Sequence, residues 1–61
     1  MLPEEMIKDF LDKEVVVSYY ARLKVKGIIT KVEANWIEVK TKDSLVMLNG
    51  ALIRDIKLLN K

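Results

Sequence analysis

The side chains that could carry chemistry favour binding over catalysis in this chain of 61 residues. It contains no cysteine and no histidine, so a thiolate or imidazole metal site is impossible, and we expect neither a metal nor a cofactor. Ser18 and Ser44 belong to no nucleophile motif, and there is no glycine-rich phosphate loop. We therefore expect no enzymatic activity and no small-molecule substrate.

Trp36 is the first candidate for a binding contact, because it is the only tryptophan. If Ile37 and Val39 point into the core, strand alternation turns Trp36 outward. An outward tryptophan can stack on a base of single-stranded RNA, a contact worth about 1–3 kcal/mol. A subunit interface explains it equally well, and packing under the N-terminal helix is a weaker third interpretation.

Asparagine provides the polar candidates. The amide of Asn35 donates and accepts hydrogen bonds, which suits a uracil edge, although asparagine also tolerates left-handed turns. Asn49 and Gly50 form the strongest turn dipeptide of the chain. A tight turn is their simpler explanation, and contact with RNA is the alternative.

The charged residues are unevenly distributed around a net charge of +2. The first 14 residues are mainly acidic, whereas the remainder carries nine basic and four acidic residues. Lys24 and Lys26 follow Arg22 on one face of a predicted strand, where they could neutralise phosphates. A solvated outer face that discourages edge pairing is the commoner explanation, and a duplex-DNA-binding surface is a weaker one.

These candidates are positioned by one helix and five strands. Pro3 and the acids after it predict a helix over 3–12, with Met6, Ile7, Phe10 and Leu11 packing on one side. β-Branched and aromatic residues then predict a strand over 15–20, and alternating apolar residues predict strands over 23–29 and 36–41. Two further strands are predicted over 44–48 and 52–59, on either side of the Asn49-Gly50 turn. Gly27 predicts a bulge or sharp bend in the second strand. We expect a single mainly β domain over 1–61, with a strongly bent, five-stranded antiparallel small barrel over 14–60.

Two spacings of glycines and apolar residues extend over most of the chain. The first comprises Gly27, Ile29, Val32 and Glu33, followed by Ile37 and Val39. The second comprises Leu48, Gly50, Ile53 and Ile56. In this pattern the chain resembles the Sm-like (Lsm) family, most closely its short, Hfq-like members.

The resemblance implies an SH3-like barrel and a homo-oligomeric ring that binds single-stranded, U-rich or A-rich RNA through loops near the pore. One loop would contain Glu33 and Asn35, and the second would contain Asn49 and Gly50. The chain departs from the family pattern at three places: Glu33 stands where aspartate is usual, Asn49 where a basic residue is usual, and Ala21-Arg22 where a glycine turn is usual.

The short length also favours assembly. A core of this size barely offsets the entropy of folding, yet 51% of the residues are hydrophobic. Pairing of unpaired strands four and five between copies would close a ring of about five to seven subunits. A small-barrel module for structure or protein interaction, without nucleic acid, is the alternative.

No apolar run approaches the ~20 residues of a membrane span and no signal peptide is evident, so we expect a cytoplasmic protein without membrane contact.

Overall fold

The computed structural model describes residues 4–59. A short helix, α1 (Glu4–Lys8), precedes five strands and a single 3₁₀ helix (Gly50–Leu52). The strands are β1 (Glu14–Tyr19), β2 (Leu23–Glu33), β3 (Trp36–Lys40), β4 (Leu45–Asn49) and β5 (Ile53–Leu58). The predicted helix start at Pro3 and the predicted barrel end at residue 60 lie outside the described residues.

All five strands belong to one antiparallel sheet with the order β4-β3-β2-β1-β5. The predicted mainly β fold is therefore confirmed. Within residues 4–59, β4 and β5 pair with nothing on their outer sides, so the sheet is open and does not close into a barrel. The two edges are the strands expected from the sequence.

The sheet is strongly bent along β2. Its 11 residues would span about 33 Å if straight, but the longest dimension of the molecule is 25 Å. A Cβ atom on Gly27 would lie 2.5 Å from the Lys40 carbonyl oxygen, so only glycine allows β3 to approach this closely. The bulge itself lies at Thr30, where the register between β2 and β3 shifts, and not at the glycine.

The core lies on the concave inner face of the sheet. Its buried side chains are Ile7, Val15, Val17, Ile29, Ile37, Val39, Leu48 and Ile53. The predicted inward direction of Ile37 and Val39 is confirmed, as is the outward direction of Trp36. Of the predicted helical face, Ile7 is buried and Phe10 and Leu11 pack against the core, but Met6 is exposed.

The helix ends four residues before its predicted end. After Lys8 the chain makes tighter turns, in which the N–H groups of Asp9, Phe10 and Leu11 bond carbonyls three residues earlier. Asp12 then adopts a left-handed φ of 66° and donates its N–H to the Ile29 carbonyl at 2.7 Å. This bond to β2 prevents the helix from continuing to residue 12, because it draws the chain alongside the sheet.

The remaining strand ends differ from prediction for local reasons. β1 ends at Tyr19, because Tyr20 is left-handed with a φ of 56°. β2 continues to Glu33, so Glu33 ends a strand and the following loop has only two residues. Asn49 and Gly50 were expected in a tight turn, but Asn49 ends β4 and Gly50 begins the 3₁₀ helix with a negative φ.

Candidate nucleic-acid interface

The β2–β3 turn positions the first group of predicted site residues. Glu33 and Trp36 face each other across it, and Ala34 and Asn35 form the turn with φ values of 49° and 69°. Two consecutive left-handed residues characterise the type I′ hairpin turn, which asparagine favours. The turn interpretation of Asn35 is therefore confirmed. Within residues 4–59 its side-chain amide makes no hydrogen bond, so it is available to a ligand.

The 3₁₀ helix brings Asn49 and Gly50 against this turn. The Gly50 N–H donates to the Asn35 carbonyl at 2.7 Å. A Cβ atom on Gly50 would lie 2.7 Å from Asn35 Oδ1, so glycine is needed for close approach. The Ala51 N–H donates to Asn49 Oδ1 at 2.9 Å, which makes Asn49 the cap of the 3₁₀ helix.

Trp36 is the centre of this group. Its side chain is 46% exposed and pairs across the sheet with Asn49. Beside it is an open groove of about 270 Å³, lined by Lys31, Glu33, Ala34, Trp36, Glu38 and Met47. Two acids and one lysine give this groove no positive excess, and Lys31 is bound to Glu33 at 3.2 Å. The groove therefore suits an apolar or base contact better than a phosphate.

Lys24 and Lys26 lie on a different surface. They are exposed near the start of β2, where they pair with Ser18 and Val16 of β1. Val16 also pairs with Lys57 of β5, so Lys26 and Lys57 flank it on the outer face. Five of the seven predicted residues are thus brought together, and the two lysines form part of a separate basic surface.

Sequence reasoning missed the residues that only sheet pairing reveals. Lys57 joins the basic surface because β5 pairs with β1 and not with β4. Leu45 and Met47 join Trp36 on the outer face because β4 pairs with β3 in that register. The sequence carries no signal for their direction, because Leu45, Val46, Met47 and Leu48 are all apolar.

Other kinds of site find no support in the described part of the chain. Among residues 4–59 no cluster of three acidic side chains is placed to hold a metal ion. The only α-helix described, α1, has five residues, too few to cross a membrane.

Comparison of the chain with models of protein families, with curated proteins and with solved structures gives no match.

Proposed function

We propose that this chain is an Sm-like protein that binds single-stranded RNA in the cytoplasm and assembles through its sheet edges into a homo-oligomeric ring. The observation that carries the proposal is the grouping of an exposed Trp36 with the unbonded Asn35 amide beside the 3₁₀ helix. The flat indole of Trp36 can stack on a base, and the neighbouring amide of Asn35 can hydrogen-bond to its edge. These are the two contacts by which unpaired bases are recognised.

The free backbone groups of β4 support the assembly. Thr41 donates its N–H to Ser44 and Gly50 donates to Asn35, which fixes the alternation of hydrogen bonds between β3 and β4. Val46 and Leu48 bond to β3 in this pattern, whereas the N–H and C=O groups of Leu45 and Met47 point away from the sheet. An edge strand with free polar groups and apolar side chains favours pairing with another strand.

The opposite edge has matching groups. Leu59 donates its N–H to the Glu14 carbonyl, so the backbone groups of Ile56 and Leu58 point outward from β5 by the same alternation. Leu58 pairs with the buried Val15, which puts its side chain on the inner face, yet it remains 41% exposed. The core is therefore incompletely covered at this edge.

Antiparallel pairing of β4 with β5 of a neighbouring copy satisfies both edges at once. Residues that face each other in such a pair carry their side chains on the same side. Met47 opposite Ile56 of the neighbour, and Leu45 opposite its Leu58, would form four backbone hydrogen bonds and cover the exposed inner-face side chains. Because the two edges differ, the contact is heterologous, and it generates a ring when the rotation between successive subunits closes.

A ring also multiplies weak contacts with RNA. Each subunit offers one Trp36 group, and an RNA that reaches several subunits binds them at high effective concentration. Modest affinity at each site is therefore compatible with tight overall binding.

Substitution of Trp36 tests the RNA proposal. We expect Trp36→Ala to weaken binding of short U-rich or A-rich RNA by about fivefold to a hundredfold, since a base loses its stacking partner. Fluorescence anisotropy of labelled oligonucleotides at several salt concentrations measures this effect, and native mass spectrometry measures the assembly.

Trp36→Phe is the matched control, because phenylalanine keeps a ring for stacking. It should keep most of the affinity. A wild-type protein that is folded and assembled but binds neither RNA would contradict the proposal.

A protein-interaction module is the second candidate function. The acidic side chains Glu33 and Glu38 beside Trp36, together with the exposed Met47, favour a basic or apolar protein segment over a polyanion. If the folded wild type binds neither RNA and Trp36→Ala abolishes assembly, this second candidate is supported.

A further inference from the structure

A basic groove on the outer face of the sheet lies apart from the Trp36 group. It has a volume of about 430 Å³ and is found where β2 and β3 approach each other at Gly27. Lys26, Lys40 and Lys42 line it, and Glu14 is its only acidic lining residue. Within residues 4–59 none of the three lysines forms an ion pair. This surface, which we call the lysine groove, therefore carries an excess of positive charge.

Apolar side chains accompany these lysines. Lys40 pairs with Ile28 on one side and with Leu45 on the other, so the three side chains form one row across the outer face. Ile28 is 40% exposed and Leu45 is 59% exposed. Exposed apolar side chains bordered by charged ones mark surfaces that bind protein. The lysine groove thus fits a segment that is acidic and partly apolar.

The N-terminal helix of this chain has that character. The first 14 residues contain five acidic and two basic residues, whereas the remainder has nine basic and four acidic residues. The helix buries Ile7, and its exposed side carries Glu5, Met6 and Asp9. Within residues 4–59 neither Glu5 nor Asp9 forms an ion pair. The exposed side of α1 therefore matches the lysine groove in charge and in apolar content.

The two surfaces lie on opposite sides of the subunit. Ile7 belongs to the core on the concave inner face, so α1 covers that face. Lys26 and Lys40 alternate with buried residues of β2 and β3 and point from the outer face. The two surfaces of one copy therefore cannot meet each other. A contact between copies is head-to-tail, and it can repeat from one copy to the next.

We propose that α1 of one copy docks in the lysine groove of a second copy. Glu5 and Asp9 face the lysines, and Met6 packs on Ile28 and Leu45. A helix of five residues buries less area than a stable interface needs, so a single contact is weak. Every subunit of the proposed ring repeats it, so rings stack face to face through many contacts at once. This inference therefore rests on the proposed ring but not on RNA binding.

Ionic strength separates this contact from the pairing of sheet edges. Salt screens ion pairs at a surface, whereas it does not weaken apolar burial at the edges. Sedimentation velocity of the wild type, freed of nucleic acid, should show whole multiples of the ring mass at about 20 mM salt. At about 500 mM salt it should show single rings.

Charge reversal tests the two surfaces directly. Glu5→Lys and Lys40→Glu should each give single rings at low salt, because each places like charges together. Both side chains are exposed, so the fold should be retained. Lys57→Glu is the matched control, because it makes the same charge change on the outer face outside the lysine groove, and it should still stack.

Mixing the two variants identifies the contact. A Glu5→Lys ring keeps an intact groove and a Lys40→Glu ring keeps an intact helix, so one wild-type contact can form between them. The mixture should therefore contain particles of two or more rings, although neither variant stacks alone. A mixture of single rings only would overturn the assignment of these two surfaces to each other.

The outcomes distinguish this inference from the proposed function. If the wild type forms only single rings at low salt, the docking of α1 is refuted and the ring stands. If Lys40→Glu then also weakens RNA binding, the lysine groove contacts phosphate instead. A wild type that is monomeric at both salt concentrations removes the ring and the stack together.

Discussion

At Gly50 the chain passes so close to the β2–β3 turn that no side chain fits. Its φ is not in the left-handed region, so any residue could adopt the backbone conformation there. What excludes other residues is Asn35, whose side-chain Oδ1 and carbonyl oxygen would lie 2.7 and 2.9 Å from a Cβ atom. The contact between the 3₁₀ helix and the β2–β3 turn therefore requires a residue without a Cβ atom at position 50.

Gly50→Ala is expected to lower the free energy of unfolding by about 1–3 kcal/mol, because the new methyl group must displace the β2–β3 turn. Chemical denaturation measures the change. Asn35→Gly alone should be close to neutral, since glycine accepts a φ of 69°.

A double substitution identifies the clash as the cause. Because Asn35→Gly removes Oδ1 but not the carbonyl oxygen, Gly50→Ala should cost less in the Asn35→Gly background than in the wild type. Strictly additive effects would show that the clash with Oδ1 does not cause the loss.

Among the elements, the 3₁₀ helix does the most to organise the candidate site. It has three residues, begins at the end of β4, and is bonded to a different hairpin turn at each end. Its formation depends on Asn49, which accepts the Ala51 N–H and so provides the partner that a short helix lacks at its start. At the position where the Sm-like pattern has a basic residue, this chain has Asn49, which caps the 3₁₀ helix.

Asn49→Ala should reduce stability by about 0.5–2 kcal/mol, the usual cost of removing a capping side chain. Asn49→Asp keeps the acceptor oxygen and should keep most of the stability. Thermal denaturation followed by circular dichroism compares the two. Equal losses in both variants would mean that the cap does not hold the 3₁₀ helix.

The sequence predicted the strands more accurately than it predicted the contacts between elements. The types and spacing of the residues predicted all five strands, and alternation within the third predicted the outward direction of Trp36. It did not predict the 3₁₀ helix, since Asn-Gly is equally favourable in a hairpin turn and as a cap followed by glycine. The contact of Arg54 with the β1–β2 turn was also missed, because it arises only from the pairing of β5 with β1.

At the scale of the whole molecule, residues 4–59 form a bent sheet with β4 at one edge and β5 at the other. β4 presents Leu45 and Met47 at 59% and 52% exposure on its outer face, whereas β5 presents the partly covered Ile56 and Leu58 on its inner face. Neither edge strand carries a proline or an inward-pointing charge, the devices that block edge pairing. In the proposed assembly, a chain this short would gain buried area where the edges of two copies meet.

Met47→Pro tests the proposed assembly, because it removes a single backbone N–H from the edge of β4. The Met47 N–H points away from β3, so proline should remove no bond within the subunit, and edge strands tolerate proline at such positions. It removes a donor needed by the neighbouring β5, so we expect a loss of oligomer mass in light scattering with the β-sheet signal retained. Val46→Pro is the matched control: it removes a bond to β3 and should unfold the subunit.

Leu58→Lys, at the other edge, should also dissociate the proposed assembly, because it puts a charge where Leu45 of the neighbour would pack. If Met47→Pro and Leu58→Lys both keep the wild-type mass, the edges do not form the contact.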